Sequence, residues 1–567
     1  MSPLPDDQPK RSIGKALAAY GERQSLVMLA LGFASGLPNL LIFDTLSAWL
    51  RDAGLSLEVI AFFGLATLAY SLKFLWAPLV DRTVIPVLTA RLGHRRSWMI
   101  VCQVLIMLGL WLVAGSNPVG GLGWMALLAV LVGFVSATQD IVIDAWRIEA
   151  AVIEKQGVLA AAYQWGYRIA MIVAGVVPLA LSESLGWNTS YALMSILMVI
   201  GVLGVLGAPR EAQRVIRAIP TDGIEAAPGR DLLEWLLRGL MFVAGALVLG
   251  SGLAGNAAIL AAGIAPIAGP DAATGLTEAW AAKSTGVFLQ LAGVLAGGAV
   301  IVLAAMPLPN RKTLPGRYLG VALGEPLANF FGRYGRSAGL ILALICLYRL
   351  SDFVLNIMNP FYLDLGFQKL QIAEVRKVLG VIMSIAGVGL AGFCIARFGL
   401  MRSLIIGAFA GSLSNLVFGW LAAVGPQLWA LGVAISVDNI ASGFAGTCLI
   451  AYMSSLTAEG FTATQYALFS SLYALLGKLI ASQSGRIVEG AAAAAEASGP
   501  FAALRGLFTQ LPPQAYAQAM EKSHVSSAAL GSGYLVFFIY SAVIGMVGVA
   551  LSFIVAGQAA KAEMTRT

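Results

Sequence analysis

Long apolar runs alternate with short polar segments along almost the whole chain. An α-helix needs about 20 apolar residues to cross the hydrocarbon core of a bilayer, and most of these runs reach that length. Fourteen runs are found, namely 26–50, 57–80, 97–116, 123–148, 157–182, 189–208, 232–254, 280–306, 338–363, 372–395, 401–424, 428–455, 462–488 and 531–557. The pattern predicts an all-α polytopic membrane protein with 14 transmembrane helices.

The composition argues against several other classes of protein. Of the 567 residues, 59% are hydrophobic and 11% are charged, whereas soluble domains carry about 25% charged residues. The mean hydropathy is +0.83. The net charge of +7 is spread over short loops and forms no basic patch. A soluble enzyme, a nucleic-acid-binding protein and a disordered scaffold do not fit these values, so the expected surroundings are a lipid bilayer.

The distribution of Lys and Arg predicts the orientation of the chain. An even number of spans puts both termini on one side, and the loops on that side carry most of the basic residues. By the positive-inside rule both termini are cytoplasmic. The long segment 489–530 then lies outside, and the short, Gly-rich stretch 256–268 is expected not to span.

The spans form two groups of six that flank a central pair. The predicted units are a cytoplasmic N-terminal tail (1–25), an N-terminal half (26–210), a linker with two extra spans (211–337), a C-terminal half (338–557) and a cytoplasmic tail (558–567). Two six-helix halves related as parallel repeats resemble the plan of the major facilitator superfamily. The extra spans are poor in intramembrane charge, so we expect residues 225–310 to contain a peripheral, lipid-facing hairpin.

A charged loop follows the second predicted span. Its residues Asp81, Arg82, Arg95 and Arg96 resemble the Asp-Arg-x-Gly-Arg-Arg loop of that superfamily, with eight residues inserted in the motif. The corresponding loop of the second half, 396–402, has a shorter version of the same pattern. A carboxylate that binds guanidinium groups and a helix end stabilises one conformation. We therefore expect a conformational latch. The alternative is loop charge that only orients the chain.

Carboxylates inside the spans are candidates for proton coupling. Asp140 and Asp144 are four residues apart and share one helix face. Two carboxylates at one low-dielectric position do not both ionise cheaply, so one is expected to hold a proton. The alternative is that Arg147 neutralises Asp144 at the cytoplasmic rim. Asp44, a lone carboxylate in the first span, and Asp352 are further candidates.

Other polar residues within the spans are candidates for substrate binding, because such groups need a partner or an aqueous cavity. They are Lys73, Gln139, Tyr163, Gln164, Tyr167, Arg168, Arg349, Asn356, Asp438, Asn439, Gln465 and Lys478. Arg168 lies about 16 Å from the cytoplasmic end of its helix. This depth strains snorkelling, so we expect it to contact Asp140 or an anionic substrate.

Pairs of opposite charge also occur in the second half. Arg349 and Asp352 are three residues apart and either form an ion pair within one helix or face a cavity. Asp438 and Lys478 are predicted at a similar depth on neighbouring helices, where they would meet.

The residues of typical metal and cofactor sites are not clustered in the sequence. The four cysteines lie within apolar runs without metal-ligand spacing. His94 and His524 fall in loops on opposite sides, and there is no Walker A motif for ATP. We therefore expect no metal, no cofactor and no enzymatic activity. A membrane-embedded enzyme or a scaffold remains the less favoured alternative to a transporter.

Several longer motifs resemble the AmpG muropeptide permease family. They are Leu31-Gly-Phe-Ala-Ser-Gly-Leu-Pro38, Lys73-Phe-Leu-Trp-Ala-Pro78 with Asp81-Arg82, Gln139-Asp-Ile-Val-Ile-Asp-Ala-Trp146, Gly166-Tyr-Arg168, Tyr348-Arg-Leu-Ser-Asp352 and Phe461-Thr-Ala-Thr-Gln-Tyr-Ala-Leu468. The resemblance covers 26–210 and 338–488. It implies proton-driven import of N-acetylglucosamine–1,6-anhydro-N-acetylmuramyl peptides across the bacterial inner membrane, for peptidoglycan recycling and, in some bacteria, β-lactamase induction.

The resemblance also implies partners and leaves an alternative open. The partners would be the muropeptide, protons and the bilayer, with the chain acting as a monomer. Arg168, Lys73 and Lys478 would accept the carboxylates of the substrate. Acetyl-coenzyme A transporters are similar to the same family, so another amphiphilic anion or a different peptide–sugar conjugate is the alternative substrate. The central pair of spans and the long segment 489–530 depart from the family pattern.

Overall fold

The chain folds almost entirely into α-helices, and no strand occurs among the residues that the structure describes. A computed structural model describes residues 18–55, 67–209, 224–225, 227–282, 285–308, 312–481, 484–497, 499–517, 519–520 and 525–564. The principal helices are α1 (Arg23–Asp52), α2 (Ala77–Arg82), α3 (His94–Ala114), α4 (Leu122–Glu149), α5 (Ile153–Leu197), α6 (Val199–Gly207), α7 (Pro228–Ala254), α8 (Gly286–Ala305), α9 (Leu314–Tyr334), α10 (Ala338–Leu347), α11 (Val381–Phe398), α12 (Leu400–Val424), α13 (Leu428–Ser455), α14 (Thr462–Ala481), α15 (Ser484–Glu496) and α16 (Ser527–Met564).

Eleven helical segments of the described residues are long and apolar enough to cross a membrane. One of them, Lys155–Gly207, has 53 residues, which corresponds to about 80 Å of helix. Gly186 breaks it with a φ of 78°, so this segment has the length of two spans. The predicted span 57–80 falls partly outside the described residues. The all-α polytopic fold is therefore confirmed, while the number of fourteen spans stays a prediction.

Close backbone approach joins the first helix of the N-terminal half to the fifth predicted span. A Cβ on Gly32 would lie 2.0 Å from the Tyr163 carbonyl oxygen, and one on Gly166 would lie 1.9 Å from the Leu29 carbonyl oxygen. Real Cβ atoms do not approach backbone so closely, so glycine is required at both positions. This contact brings the polar residues of α1 and α5 together.

The two ends of the helix bundle are held by different hydrogen bonds. Arg23 Nε donates to the Gly207 carbonyl at 2.8 Å, and Gln24 Nε2 donates to the Ala150 carbonyl at 2.8 Å. We call this side, where α1 begins, the terminal side. On the opposite side, Trp187 Nε1 donates to Asp52 Oδ2 at 2.8 Å.

The inserted helices α7 and α8 form a closely packed hairpin. A Cβ on Gly297 would lie 2.4 Å from the Leu249 backbone nitrogen. Arg238 donates to the Ala304 carbonyl and, at 2.8 Å, to the Met306 carbonyl, so it caps the end of α8. Leu249 also packs against Leu72. The hairpin contacts the second predicted span, and its peripheral role stays a prediction.

A cap covers the C-terminal half on the side opposite to the terminal side. It comprises α15 and the described residues between 499 and 520. The Tyr516 backbone N–H donates to the Asp364 carbonyl at 2.8 Å, and the Tyr534 hydroxyl donates to Asp364 Oδ2 at 2.5 Å. Tyr516 and Tyr534 stack with ring centroids 5.9 Å apart. The cap thereby fixes the end of the segment Met358–Leu365.

Candidate functional site

A cavity of about 840 Å³ lies between the two halves, displaced from the terminal side. Its polar lining comprises Asp44, Arg168, Arg349, Asp352, Asn359, Tyr362, Arg376, Asp438, Asn439 and Ser442. Leu40, Met171 and Val176 belong to its apolar lining. The cavity therefore brings together six of the residues that the sequence nominated: Asp44, Arg168, Arg349, Asp352, Asp438 and Asn439.

Arg349 and Asp352 form an ion pair on the wall of the C-terminal half. Arg349 Nε donates to Asp352 Oδ2 at 2.7 Å. Arg349 also donates to the Ser442 hydroxyl at 2.6 Å and to the Tyr473 hydroxyl at 3.3 Å. Both residues also line the cavity, and Arg349 lies in the turn between α10 and the short helix Leu350–Val354.

Arg168 lies on the wall of the N-terminal half without a partner in the described part of the chain. Its Nε atom is buried and makes no hydrogen bond. The charged group that faces it is Arg349, a cation from the other half. No ion pair with Asp140 is formed. Two guanidinium groups near each other in a low-dielectric site favour an anion between them.

Arg376 is a cavity residue that the sequence analysis missed. It donates to the Asn359 side chain, and its guanidinium lies 5.8 Å from the centroid of the Tyr362 ring. Arg376 belongs to a π-helical turn, Val375–Gly380, and Asp44 belongs to another, Leu41–Thr45. Such turns are common at functional sites. The available signal was an arginine near the start of the apolar run 372–395, beside Glu374 and Lys377.

A second polar cluster is buried within the N-terminal half, away from this cavity. The Ser35 hydroxyl donates to the Asp140 carboxylate, and it lies 2.8 Å from the Tyr163 hydroxyl. Lys73 Nζ lies 3.8 Å from Asp144 Oδ2. Arg147 Nη2 donates to Asp144 Oδ1 at 3.3 Å. Asp144 therefore lies between two cations, as in the neutralisation alternative, and Asp140 has a hydroxyl donor.

Other nominated residues of this half pack near that cluster. Gln139 Nε2 donates to the Ala34 carbonyl at 2.9 Å, and the rings of Tyr163 and Tyr167 lie 6.2 Å apart. Gln164 is half-buried. Neither these residues nor Lys73 belongs to the cavity lining described above. Their assignment to substrate binding stays a prediction that this geometry does not support.

The two halves meet closely on the terminal side of the cavity. Trp165 Nε1 donates to the Ile385 carbonyl at 2.8 Å, and the Tyr20 hydroxyl donates to the Gly389 carbonyl at 2.8 Å. Arg147 Nη1 donates to the Ser454 hydroxyl at 3.0 Å. These contacts close the path from the cavity to the terminal side.

The predicted latch residues occupy the same side. Arg95 Nη2 donates to Asp81 Oδ1 at 2.6 Å and to Glu149 Oε1 at 2.8 Å. Asp81 Oδ2 accepts from the Thr464 backbone N–H at 2.9 Å and from its hydroxyl at 2.7 Å. Because Thr464 is in the first turn of α14, Asp81 also interacts favourably with the positive end of that helix dipole. One carboxylate thus joins the two halves.

The remaining latch residues are also bonded. Arg96 Nε donates to the Val205 carbonyl at 3.1 Å, within the N-terminal half. Arg82 Nη2 donates to Glu325 Oε2, on the linker helix α9, at 3.0 Å. The contacts have the geometry that a latch requires, and its role in transport stays a prediction.

Three nominated residues of the second half are placed elsewhere or are not described. Gln465 Nε2 donates to the Pro326 carbonyl on α9 at 2.9 Å, so Gln465 contacts the linker on the terminal side and is not part of the cavity lining. The side chains of Asn356 and Lys478 lie outside the described residues, so a contact between Asp438 and Lys478 stays a prediction. Among described residues, no group of three His, Cys, Asp or Glu is placed to hold a metal.

Comparison with known proteins identifies the family. The chain is 30% identical to the anhydromuropeptide permease of Escherichia coli (strain K12) over 476 residues, which make up 83% of this chain and 76% of that relative. The chain belongs to the AmpG family of permeases. It is also 29% identical to the putative transporter AmpG 4 of Rickettsia conorii (strain ATCC VR-613 / Malish 7) over 461 residues, 81% of this chain and 88% of that protein. The resemblance inferred from the motifs is confirmed.

Other comparisons are partial or distant. A family model described as Acetyl-coenzyme A transporter 1 matches residues 24–120. The proton:xylose symporter XylE is similar with a TM-score of 0.48 and 11% identity, covering 94% of this chain and 95% of that one. The human organic anion transporter MFSD10 is similar with a TM-score of 0.46 and 15% identity, covering 96% and 100%. The AmpG-family chain is therefore a multi-pass membrane permease.

Proposed function

We propose that this protein imports anhydro-muropeptides from the periplasm to the cytoplasm in symport with protons. It would act as a monomer in the bacterial inner membrane, with both termini cytoplasmic, and would serve peptidoglycan recycling. The observation that carries the proposal is the cavity between the halves. Arg168 lies on its wall and has no partner among the described residues, and the E. coli relative of the chain is named anhydromuropeptide permease.

The proposed direction, import, is supported by the side of the membrane on which the cavity is closed. The predicted cytoplasmic side is the terminal side, where Asp81 bonds Thr464 and Trp165 bonds Ile385. The cavity lies beyond these contacts, towards the predicted periplasmic side. Alternating access then consists of breaking the terminal-side contacts while the opposite ends of the helices close around the substrate.

The substrate class is supported by the chemistry of Arg168. Muropeptides carry carboxylates, which lose hydration on entering the cavity and then need a fixed cation. A guanidinium binds a carboxylate through two parallel hydrogen bonds, whereas an ammonium acts as a point charge. Because Arg168 faces Arg349 across the interface of the halves, one anion would contact both halves at once and favour their closure.

Proton coupling is assigned to Asp140 and Asp144. Protonating Asp144 would leave Lys73 and Arg147 without their common anion in a buried site. That arrangement is costly in a low-dielectric interior. Arg147 also bonds Ser454 and lies 5.4 Å from the centroid of the Tyr466 ring, both in the other half. A proton on Asp144 would therefore weaken contacts that close the terminal side, which links protonation to opening.

Acetyl-coenzyme A is the second candidate substrate, because the matching family model is named for its transporter. The test is binding of radiolabelled N-acetylglucosamine–1,6-anhydro-N-acetylmuramyl tripeptide to the purified protein, with unlabelled acetyl-coenzyme A as competitor. We expect saturable muropeptide binding that a large excess of acetyl-coenzyme A does not displace. Displacement by acetyl-coenzyme A together with weak muropeptide binding would favour the second candidate.

A further inference from the structure

The charged groups of the cavity separate into satisfied and unsatisfied ones. Arg349 is bonded to Asp352, and Arg376 is bonded to Asn359. Asp438 has no hydrogen bond in the described part of the chain, but Arg349 and Arg376 both act on it electrostatically. On the wall formed by the C-terminal half, each charged group therefore has an opposite charge or a polar partner nearby.

Arg168 and Asp44 also lack a hydrogen bond and an ion pair among the described residues, but they lie on the other wall, which belongs to the N-terminal half. Arg168 has an unbonded, buried Nε atom and faces a like charge. Asp44 is exposed and lines the cavity. A guanidinium and a carboxylate are therefore available to a ligand on the same wall, formed by α1 and α5.

The two groups are separated along the helix axes. The Thr45 hydroxyl donates to the Ala174 carbonyl at 2.8 Å, which places position 45 level with position 174 on the neighbouring helix. Arg168 precedes Ala174 by six residues, so the backbones that carry Asp44 and Arg168 differ in level by about 8 Å. This separation explains why the two do not neutralise each other. A ligand that satisfies both must carry opposite charges several bonds apart.

We propose that Asp44 binds an ammonium group of the substrate while Arg168 binds a carboxylate, so that the cavity selects peptides that carry a free side-chain amine as well as carboxylates. The inference rests on the proposed function and deepens it. It gives Asp44 a substrate role in place of the proton-coupling role expected from the sequence. Asp140, which is enclosed and bonded to Ser35, is the better placed of the two carboxylates for a proton.

The test compares two probes on the purified protein. One is the anhydro-muropeptide whose peptide ends in lysine, and the other is the same compound with the lysine side-chain amine acetylated. Because a hydrogen bond between charged groups is stronger than one to a neutral amide, the wild type should bind the compound with the free amine at least about 10-fold more tightly than the acetylated one. Asp44→Asn should bind both probes equally, and Asp44→Glu should recover part of the preference.

The control is Asp52→Asn, a carboxylate on the same helix that bonds Trp187 and is not part of the cavity lining. It should keep the preference. The proposal is wrong if the wild type binds both probes equally, or if Asp438→Asn abolishes the preference and Asp44→Asn keeps it. A wild type that binds neither probe contradicts the proposed function itself, and the inference falls with it.

Discussion

Replacing Asp81 by asparagine should shift the protein towards the conformation that is open on the terminal side. The bonds from Thr464 to Asp81 cross between the halves, at 2.9 and 2.7 Å, whereas the bond from Arg95 lies within the N-terminal half. A hydrogen bond to a charged group contributes about 1.5–3 kcal/mol and a neutral one about 0.5–1.5 kcal/mol. Neutralising Asp81 therefore lowers the free energy that favours the closed conformation by about 2–3 kcal/mol. The ratio of closed to open molecules should fall by about 30–150-fold.

The assay is the distance between spin labels on the two halves. Arg91 and Arg402 are exposed on the predicted cytoplasmic side, and labels on cysteines introduced there, after replacement of the four native cysteines, report its opening. Thr464→Val removes the hydroxyl donor but keeps the backbone donor, so it should give a smaller shift than Asp81→Asn. Asp52→Asn is the matched control. Unchanged distance distributions in a well-folded Asp81→Asn protein would refute the latch.

The remaining predictions concern coupling, binding and packing. Asp140→Asn should abolish accumulation driven by a proton gradient yet leave substrate exchange, and wild-type accumulation would show that Asp140 carries no coupling proton. Arg168→Lys keeps the charge but should bind the radiolabelled substrate about 10-fold or more weakly. If Arg168→Ala/Asp140→Ala binds the substrate better than Arg168→Ala alone, the arginine only neutralises the carboxylate. Gly166→Ala forces α1 and α5 apart and should lower the free energy of unfolding by about 1–3 kcal/mol, which a lower Tm in detergent would show. Gly239→Ala is the control, because a Cβ there meets open space, and it should leave the Tm unchanged. Deleting 225–310 and joining the halves with a flexible linker should lower the Tm more than it changes substrate selectivity; a folded deletion with altered substrate preference contradicts the peripheral placement.

The sequence predicted those features that depend on spacing along one helix. Asp140 and Asp144 were assigned to a shared face from their separation of four residues. For Arg349 and Asp352 a separation of three residues suggested either an ion pair or a cavity role, and the structure contains the ion pair. The all-α membrane fold followed from the apolar runs, because a helix spans when it has about 20 apolar residues with few charges. These inferences required no knowledge of which helices are neighbours.

Features that depend on contacts between helices were not predictable in the same way. Lys73 was assigned to a positive field for the substrate, but it lies beside Asp144, which is distant in sequence. Gln465 was expected at the substrate and contacts the linker helix α9. Arg376 was overlooked because the π-helical turn that carries it has no simple periodic signature. Neighbouring helices, and not spacing within one helix, decide where such side chains lie.

Uptake of labelled anhydro-muropeptide into proteoliposomes, with and without an imposed inward proton gradient, tests the proposed function most directly. Accumulation above the outside concentration is expected only when the gradient is present, and it should disappear when an ionophore dissipates the gradient. The matched control is Asp140→Asn, which should equilibrate the substrate without concentrating it. Accumulation that is independent of the gradient, or no uptake by correctly folded wild-type protein, would contradict proton-driven import.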